Sequence, residues 1–181
     1  MRNIGVLGAM GSGKGIAAEY LSDRYGYRII NMGNIIRAIA KKRKIPPARL
    51  NLEKLQRECR RRYGDDYVIK EAVAKAGESG KPVILDGIRS LIDAKTAKKE
   101  LGAKLILIYA DPKLRFERLK RRRRADFPRT FAEFKKVEAL ENRTFAFGKT
   151  AQLADYTIDN GNGLKYLHSQ LDSIMKVLKQ G

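Results

Sequence analysis

Short apolar runs rich in β-branched residues alternate with longer amphipathic stretches, the pattern of a parallel sheet with crossover helices. Strands are predicted at residues 3–7, 27–31, 82–86, 104–109 and 156–159. Their near-continuous apolar character suits strands covered on both faces. Helical periodicity fills the intervals at 14–25, 34–44, 51–63, 65–78, 90–101, 112–124, 130–145 and 164–178. Asp111 before Pro112 reads as a cap followed by a first-position proline, and Thr130 with Glu133 as a capping box. Gly26 and Gly102 stand where helices should stop. No repeat, low-complexity tract or Pro/Gly-rich linker divides the sequence. Residues 1–181 are therefore expected to form one open, doubly wound α/β domain on a five-stranded parallel sheet.

Composition narrows this only a little. At 181 residues and 43% hydrophobic, the chain can bury a core, and no apolar run approaches the roughly 20 residues a membrane helix needs. Residues 1–7 enter strand-like sequence at once, without a charged-then-apolar leader. With a single cysteine, Cys59, the expected setting is reducing and cytoplasmic. Charge is the unusual feature: 39 Lys and Arg against 20 Asp and Glu give a net +19. Such a field concentrates phosphates, nucleic acid or anionic lipid without choosing among them.

The choice comes from residues 8–14. Gly8, Ala9, Met10, Gly11, Ser12, Gly13 and Lys14 lie between the first strand and the first helix. Glycines there let several amides converge on one anion, a helix N-terminus adds its dipole, and Lys14 supplies a charge for β- and γ-phosphates. The position after the lysine, where a Ser or Thr hydroxyl ordinarily meets Mg²⁺, holds Gly15. Asp86 is predicted to leave a central strand beside this loop, where open α/β sheets bind ligands. A carboxylate there can orient Mg²⁺ or steer the attacking oxygen, and Arg89 offers a fork for phosphate.

These segments resemble P-loop nucleoside monophosphate kinases and their relatives, adenylate kinase and dephospho-coenzyme A kinase among them. The resemblance implies a three-layer α/β/α P-loop NTPase fold with small helical segments added: an acceptor-binding insert at about 32–78 and a lid at about 118–147. Asn31 through Arg37 is similar to the family's acceptor-binding turn, which implies that Gly33 and Arg37 bind the acceptor phosphate. The acidic residue often found after the glycine is Asn34 here. Asp86-Gly87-Ile88-Arg89 resembles the family's Asp-Gly-Phe-Pro-Arg signature without its Phe-Pro. In the basic run from Arg115 to Arg124, Arg118 and Arg122 match lid arginines that close on the transferring phosphoryl group; Arg143 is a further candidate. Residues 154–161 are similar to the last strand and adenine-side loop of dephospho-coenzyme A kinases, with Asn160 and Gly161 lining the adenine.

The function implied is transfer of the γ-phosphate of ATP, with Mg²⁺, to a phosphorylated small molecule. A nucleoside monophosphate or related nucleotide is the first expectation and dephospho-coenzyme A the alternative. A nucleotide switch bound to RNA or to ribosome assembly would instead use the basic clusters at 41–44 and 60–62 as a nucleic-acid surface. A binding-only relative without turnover is the third reading. His168 and Cys59 are assigned no chemistry, and Phe127, Phe131, Phe134, Phe145 and Phe147 are expected to pack the lid against the body.

Overall fold

The computed structural model describes residues 1–122 and 128–180. Its strands are β1 (Ile4–Leu7), β2 (Arg28–Asn31), β3 (Val83–Ile88), β4 (Lys104–Tyr109) and β5 (Tyr156–Asp159). They run parallel in one sheet ordered β2-β3-β1-β4-β5. The helices are α1 (Lys14–Tyr25), α2 (Met32–Lys42), α3 (Arg49–Tyr63), α4 (Tyr67–Gly77), α5 (Leu91–Leu101), α6 (Pro112–Arg121), α7 (Phe131–Phe145), α8 (Phe147–Ala151) and α9 (Leu164–Gln180). The strand order reverses about β1, so the crevice at its carboxyl end is the place such sheets keep for a ligand.

Alternation along each strand sends side chains to two separate cores. Leu7, Val83, Leu85 and Leu105 face a cluster completed by Ile35, Ile36, Val68 and Ile69 from α2 and α4. Val6, Ile84, Ile106 and Ile108 face the other, with Ala17 and Leu21 of α1 and Leu167, Leu171 and Met175 of α9. Polar contacts fix α9 to α1: Asp172 accepts from the Tyr20 and Tyr25 hydroxyls at 2.8 and 2.6 Å and from Arg24 at 3.1 Å. His168 stacks on Tyr20 with ring centroids 3.8 Å apart, so it packs rather than standing exposed.

Several boundaries differ from expectation. β3 runs two residues further, through Gly87 and Ile88, with its register against β1 shifting between Val6 and Leu7. Gly87, at φ 98°, absorbs that bulge. α2 begins directly at Met32, because Asn31 ends β2 and caps the helix at once, accepting from the Asn34 amide. The short α8 is not foreseen, having too few residues for a period to register. α6 ends at Arg121; the rest of the predicted 112–124 helix, and Phe127, fall partly at 123–127, outside the described residues. Both capping predictions hold, with Asp111 accepting from Lys113 and Thr130 exchanging bonds with Glu133. Among the described residues, no helix is long and apolar enough to cross a membrane.

A third, smaller core matters most for the site. Phe116, Leu119 and Phe134 join α6 to α7, with Phe131 and Met10 packed against them. Phe134 is fully buried and anchors α7 beside the β1–α1 loop. Phe134→Ala should destabilise the protein by about 3–5 kcal/mol. The check is a lower urea midpoint with an unchanged denaturant slope.

Candidate active site

The segment between β1 and α1 curls on itself. The Ser12 amide donates to the Ala9 carbonyl at 3.1 Å, and the Ala17 amide reaches back to Gly13 at 3.1 Å. Gly13 caps α1 at φ 98° with no side-chain hydrogen bond to the leading amides. Those amides carry the positive end of the helix dipole without a side-chain partner, which is what an anion site requires. A Cβ on Gly13 would overlap the Asn160 amide nitrogen, so conformation and space both demand glycine.

Two side chains from other elements hold the loop. Buried Asn160 donates from Nδ2 to the Ser12 carbonyl at 2.8 Å, while its backbone amide donates to Tyr109 at 2.7 Å. Buried Arg115 donates to the carbonyls of Ala110 and Met10, at 2.9 and 3.3 Å. Its remaining nitrogen pairs with Glu138 of α7, and its guanidinium lies over the Phe134 ring. Burial alone would raise the Glu138 carboxyl, but hydrogen bonds from Lys135 and Arg115 outweigh it and leave the group below the usual carboxylate range. Sequence reasoning gives Asn160 only a backbone role beside a base and passes over Arg115, one arginine in a basic run.

Arg118 departs from its expected place. Its Nη2 donates to the Asn160 carbonyl at 2.7 Å, and its buried Nη1 has no partner. Burial, then the nearby Arg122 charge, lowers its pKa. It therefore stands at the junction of α6 with the loop after β5, whereas Arg122 caps the end of α6 and is exposed. Gly161 follows Asn160 and is exposed.

Asp86 lies in β3 opposite Val6 of β1, two residues before the strand ends, and is buried. Asn31 Nδ2 donates to its Oδ2 at 2.6 Å, while its Oδ1 is buried with no partner. That orphaned carboxylate oxygen suits a hard cation or one of its waters. Among the described residues no group of three or more His, Cys, Asp or Glu forms a metal cluster. Asn31 also joins Asp86 to the acceptor-side residues: its Oδ1 accepts from the Asn34 amide at 3.1 Å and from Arg37 at 3.4 Å. Arg37 is bound further to Asn34 Oδ1 at 2.7 and 3.0 Å, and Gly33 lies against both Asn31 and Arg37. Asn31 carries no catalytic motif, and only its place at a strand end beside Asp86 could have singled it out.

Lys14 brings the groups together electrostatically. Its amine is lowered to about 8, first by burial, then by the Arg89 charge, with Asp86 and Glu141 opposing and Arg122 adding to the shift. A cleft of about 420 Å³, open to solvent, lies beside it between residues 8–10 and a wall of Arg89, Glu138, Glu141, Asn142 and Phe145. Arg89 pairs with Glu141 at 3.5 Å. Lys14, Asp86, Arg89 and Arg122 thus share one electrostatic neighbourhood, Gly33 and Arg37 adjoin Asp86 through Asn31, and Arg118 reaches the loop through Asn160. Arg143, on the exposed side of α7, enters none of these contacts.

The chain matches the AAA domain family over residues 7–135, which takes in the loop, Asp86 and α6. It aligns over 173 residues with a UPF0200 protein of Staphylothermus marinus at 30% identity, covering 96% of this chain and 90% of that protein. The chain belongs to the UPF0200 family. Shikimate kinase from Acinetobacter baumannii, in complex with shikimate, superposes on this UPF0200 protein with a TM-score of 0.62 at 16% identity, covering 99% and 94% of the two chains. Shikimate kinase from Bacteroides thetaiotaomicron gives 0.64 at 12% identity, covering 98% of each. The fold is that of the P-loop kinases, as residues 8–14 and 86–89 imply.

A proton linkage follows from Lys14. Its amine is charged below about pH 8 and neutral above. Bound phosphates favour the charged form, so triphosphate binding raises this pKa, and affinity falls as pH rises past 8. Titration calorimetry of ATP in buffers of differing ionisation enthalpy should show Lys14-dependent uptake of about 0.9 proton near pH 9 and about none near pH 6.5. The Lys14→Met protein supplies the baseline.

Proposed function

We propose that this UPF0200 protein is an ATP- and Mg²⁺-dependent phosphotransferase that moves the γ-phosphate to an anionic small molecule of the nucleotide kind. The observation that carries the reading is the gathering of Asp86, Arg89 and Arg122 around Lys14 at the mouth of the anion loop. Phosphoryl transfer asks a protein mainly for positioning and charge neutralisation, and this arrangement offers both. The loop amides and Lys14 would hold the β- and γ-phosphates. Arg122 would approach the transferred group from a lid carried by α6 and α7. Arg118, with its free Nη1 beside Asn160 and Gly161, fits the nucleoside side of the donor. Asp86 Oδ1 would hold Mg²⁺ directly or through water, and the metal would neutralise charge on the β- and γ-oxygens.

The acceptor arm would be α2 to α4, with Gly33 at its root and Arg37 and Arg89 as anion contacts. A nucleoside monophosphate and dephospho-coenzyme A both carry the anion this pair asks for. A small-molecule acceptor also agrees with the names of the shikimate kinases that share the fold. The expected setting is the cytoplasm.

One observation favours a second reading. Lys54, Arg57 and Arg61 are exposed and spaced three and four residues apart on α3, a stripe that would suit a polyanion such as RNA. ADP release measured against nucleoside monophosphates, deoxynucleoside monophosphates and dephospho-coenzyme A separates the two. Strong stimulation by one acceptor, lost in Lys14→Ala, supports the kinase; slow, acceptor-independent hydrolysis with steeply salt-dependent RNA binding supports the switch.

Gly15 offers a sharper test. A Cβ there would meet nothing within 4 Å, so Gly15→Ser should fold normally and place a hydroxyl after Lys14. Mg²⁺-dependent turnover should rise severalfold, on the order of one added charge-assisted bond. Unchanged turnover would show that Asp86 and water already satisfy the metal.

A further inference from the structure

Glu141 is a carboxylate of the cleft that no family motif assigns, and its position bears on which atom of the acceptor is phosphorylated. It projects from α7 into the cleft beside residues 8–10, pairs with Arg89 at 3.5 Å, and its charge reaches Lys14. The other carboxylate in the wall, Glu138, is engaged by Arg115 and Lys135. Arg60 stands behind Phe145, 5.5 Å from its ring, and pairs with Asp93 at 3.6 Å. The charged groups around the transfer point, among the described residues, are therefore the cations Lys14, Arg89 and Arg122 and the anions Asp86 and Glu141.

A carboxylate beside the transfer point serves an acceptor that has a proton to lose. A phosphate acceptor attacks with an oxygen that is already charged, and Glu141 offers it nothing. A hydroxyl has that proton. Arg37 shows the converse arrangement. It stands on the far side of Asp86, and its partners are the neutral amide oxygens of Asn34 and Asn31, so its full charge is available to an anion.

We propose that the acceptor is a small molecule whose reacting group is a hydroxyl and whose anionic group lies some distance away, and that Glu141 is the catalytic base. Arg37 takes the distal anion, and Glu141 accepts a hydrogen bond from the hydroxyl. The hydroxyl oxygen forms a bond to Pγ as the bridging Pγ–O bond breaks. The bond's electron pair leaves with ADP, and the hydroxyl proton passes to the Glu141 carboxylate. The product is a phosphomonoester. This rests on the phosphotransferase reading above.

The test uses the full chain with ATP-Mg²⁺ and two groups of probes: AMP, CMP and UMP, and the hydroxy compounds dephospho-coenzyme A, shikimate and gluconate. Products are read by ³¹P NMR, where an anhydride shows phosphorus–phosphorus coupling and a monoester does not. Monoester formation is expected. Glu141→Gln should lower kcat on the order of 100-fold with little change in KM, and Glu141→Asp should restore part of it. Arg37→Met should instead raise KM. A nucleoside diphosphate as product would overturn the hydroxyl inference and leave the phosphotransferase reading standing. If no probe is phosphorylated, water serves as the hydroxyl. ATP hydrolysis should then fall at least tenfold in Glu141→Gln, and an unchanged rate overturns the inference. Absence of ATP binding by the unaltered chain would overturn the phosphotransferase reading itself.

Discussion

The loop after β1 must keep a ring of amides unpaired and aimed at one point, and a chain left to itself does not do this. Backbone donors seek partners, and a glycine-rich segment has many conformations in which to find them. The curl persists because its carbonyls are tied from outside, Met10 by Arg115 and Ser12 by Asn160. Holding the carbonyl edge keeps the loop in one conformation. Much of the surrounding architecture follows from this need. Arg115 can be buried only with its charge met, so α7 brings Glu138 and Phe134 to it. Asn160 reaches Ser12 because β5 lies beside β4, with the Tyr109 carbonyl fixing its backbone.

The same ties connect the loop to the elements that would move. Arg115 and Arg118 belong to one helix, three residues apart, and each touches a different anchor: Arg115 the loop itself, Arg118 the carbonyl of Asn160. A shift of α6 would therefore be felt at both ends of the anion site. α7 is bound to α6 through Arg115–Glu138 and through the Phe116, Phe131 and Phe134 rings. Glu141 rides on that helix, so the carboxylate facing Arg89 is set by the same packing that shapes the phosphate loop.

What the sequence makes legible and what it hides divide along physical lines. The central strands are legible because strands covered on both faces read as unbroken apolar runs, as at 83–85 and 105–108. The anion loop is legible because its conformation demands glycine at fixed spacing. Asp86 is placed by topology alone, once the order of strands is guessed. Hidden are the features decided by tertiary direction. In the run from Arg115 to Arg122 all the arginines look alike, yet Arg115 is buried under the loop, Arg118 bonds the Asn160 carbonyl, and Arg121 and Arg122 face solvent. Helical position settles this, but only after the phase of α6 against the sheet is known. The bulge at Gly87 inserts one residue into β3 without changing the pattern of apolar positions before it, so nothing in the run announces it.

Asn31 shows why the acceptor side was partly readable. It ends β2, caps α2 and donates to Asp86, three duties that a single amide can meet because its oxygen and nitrogen face opposite ways. An aspartate in this place could cap the helix but would set a second carboxylate against Asp86, and a serine could not reach both partners. The asparagine therefore keeps Asp86 aimed while adding no charge of its own. The orphaned Oδ1 of Asp86 is the consequence: one oxygen is held by Asn31, and the other has no hydrogen-bond partner among the described residues. A buried carboxylate oxygen without a partner is costly unless something else completes it, and the divalent cation proposed above is a group that would do so.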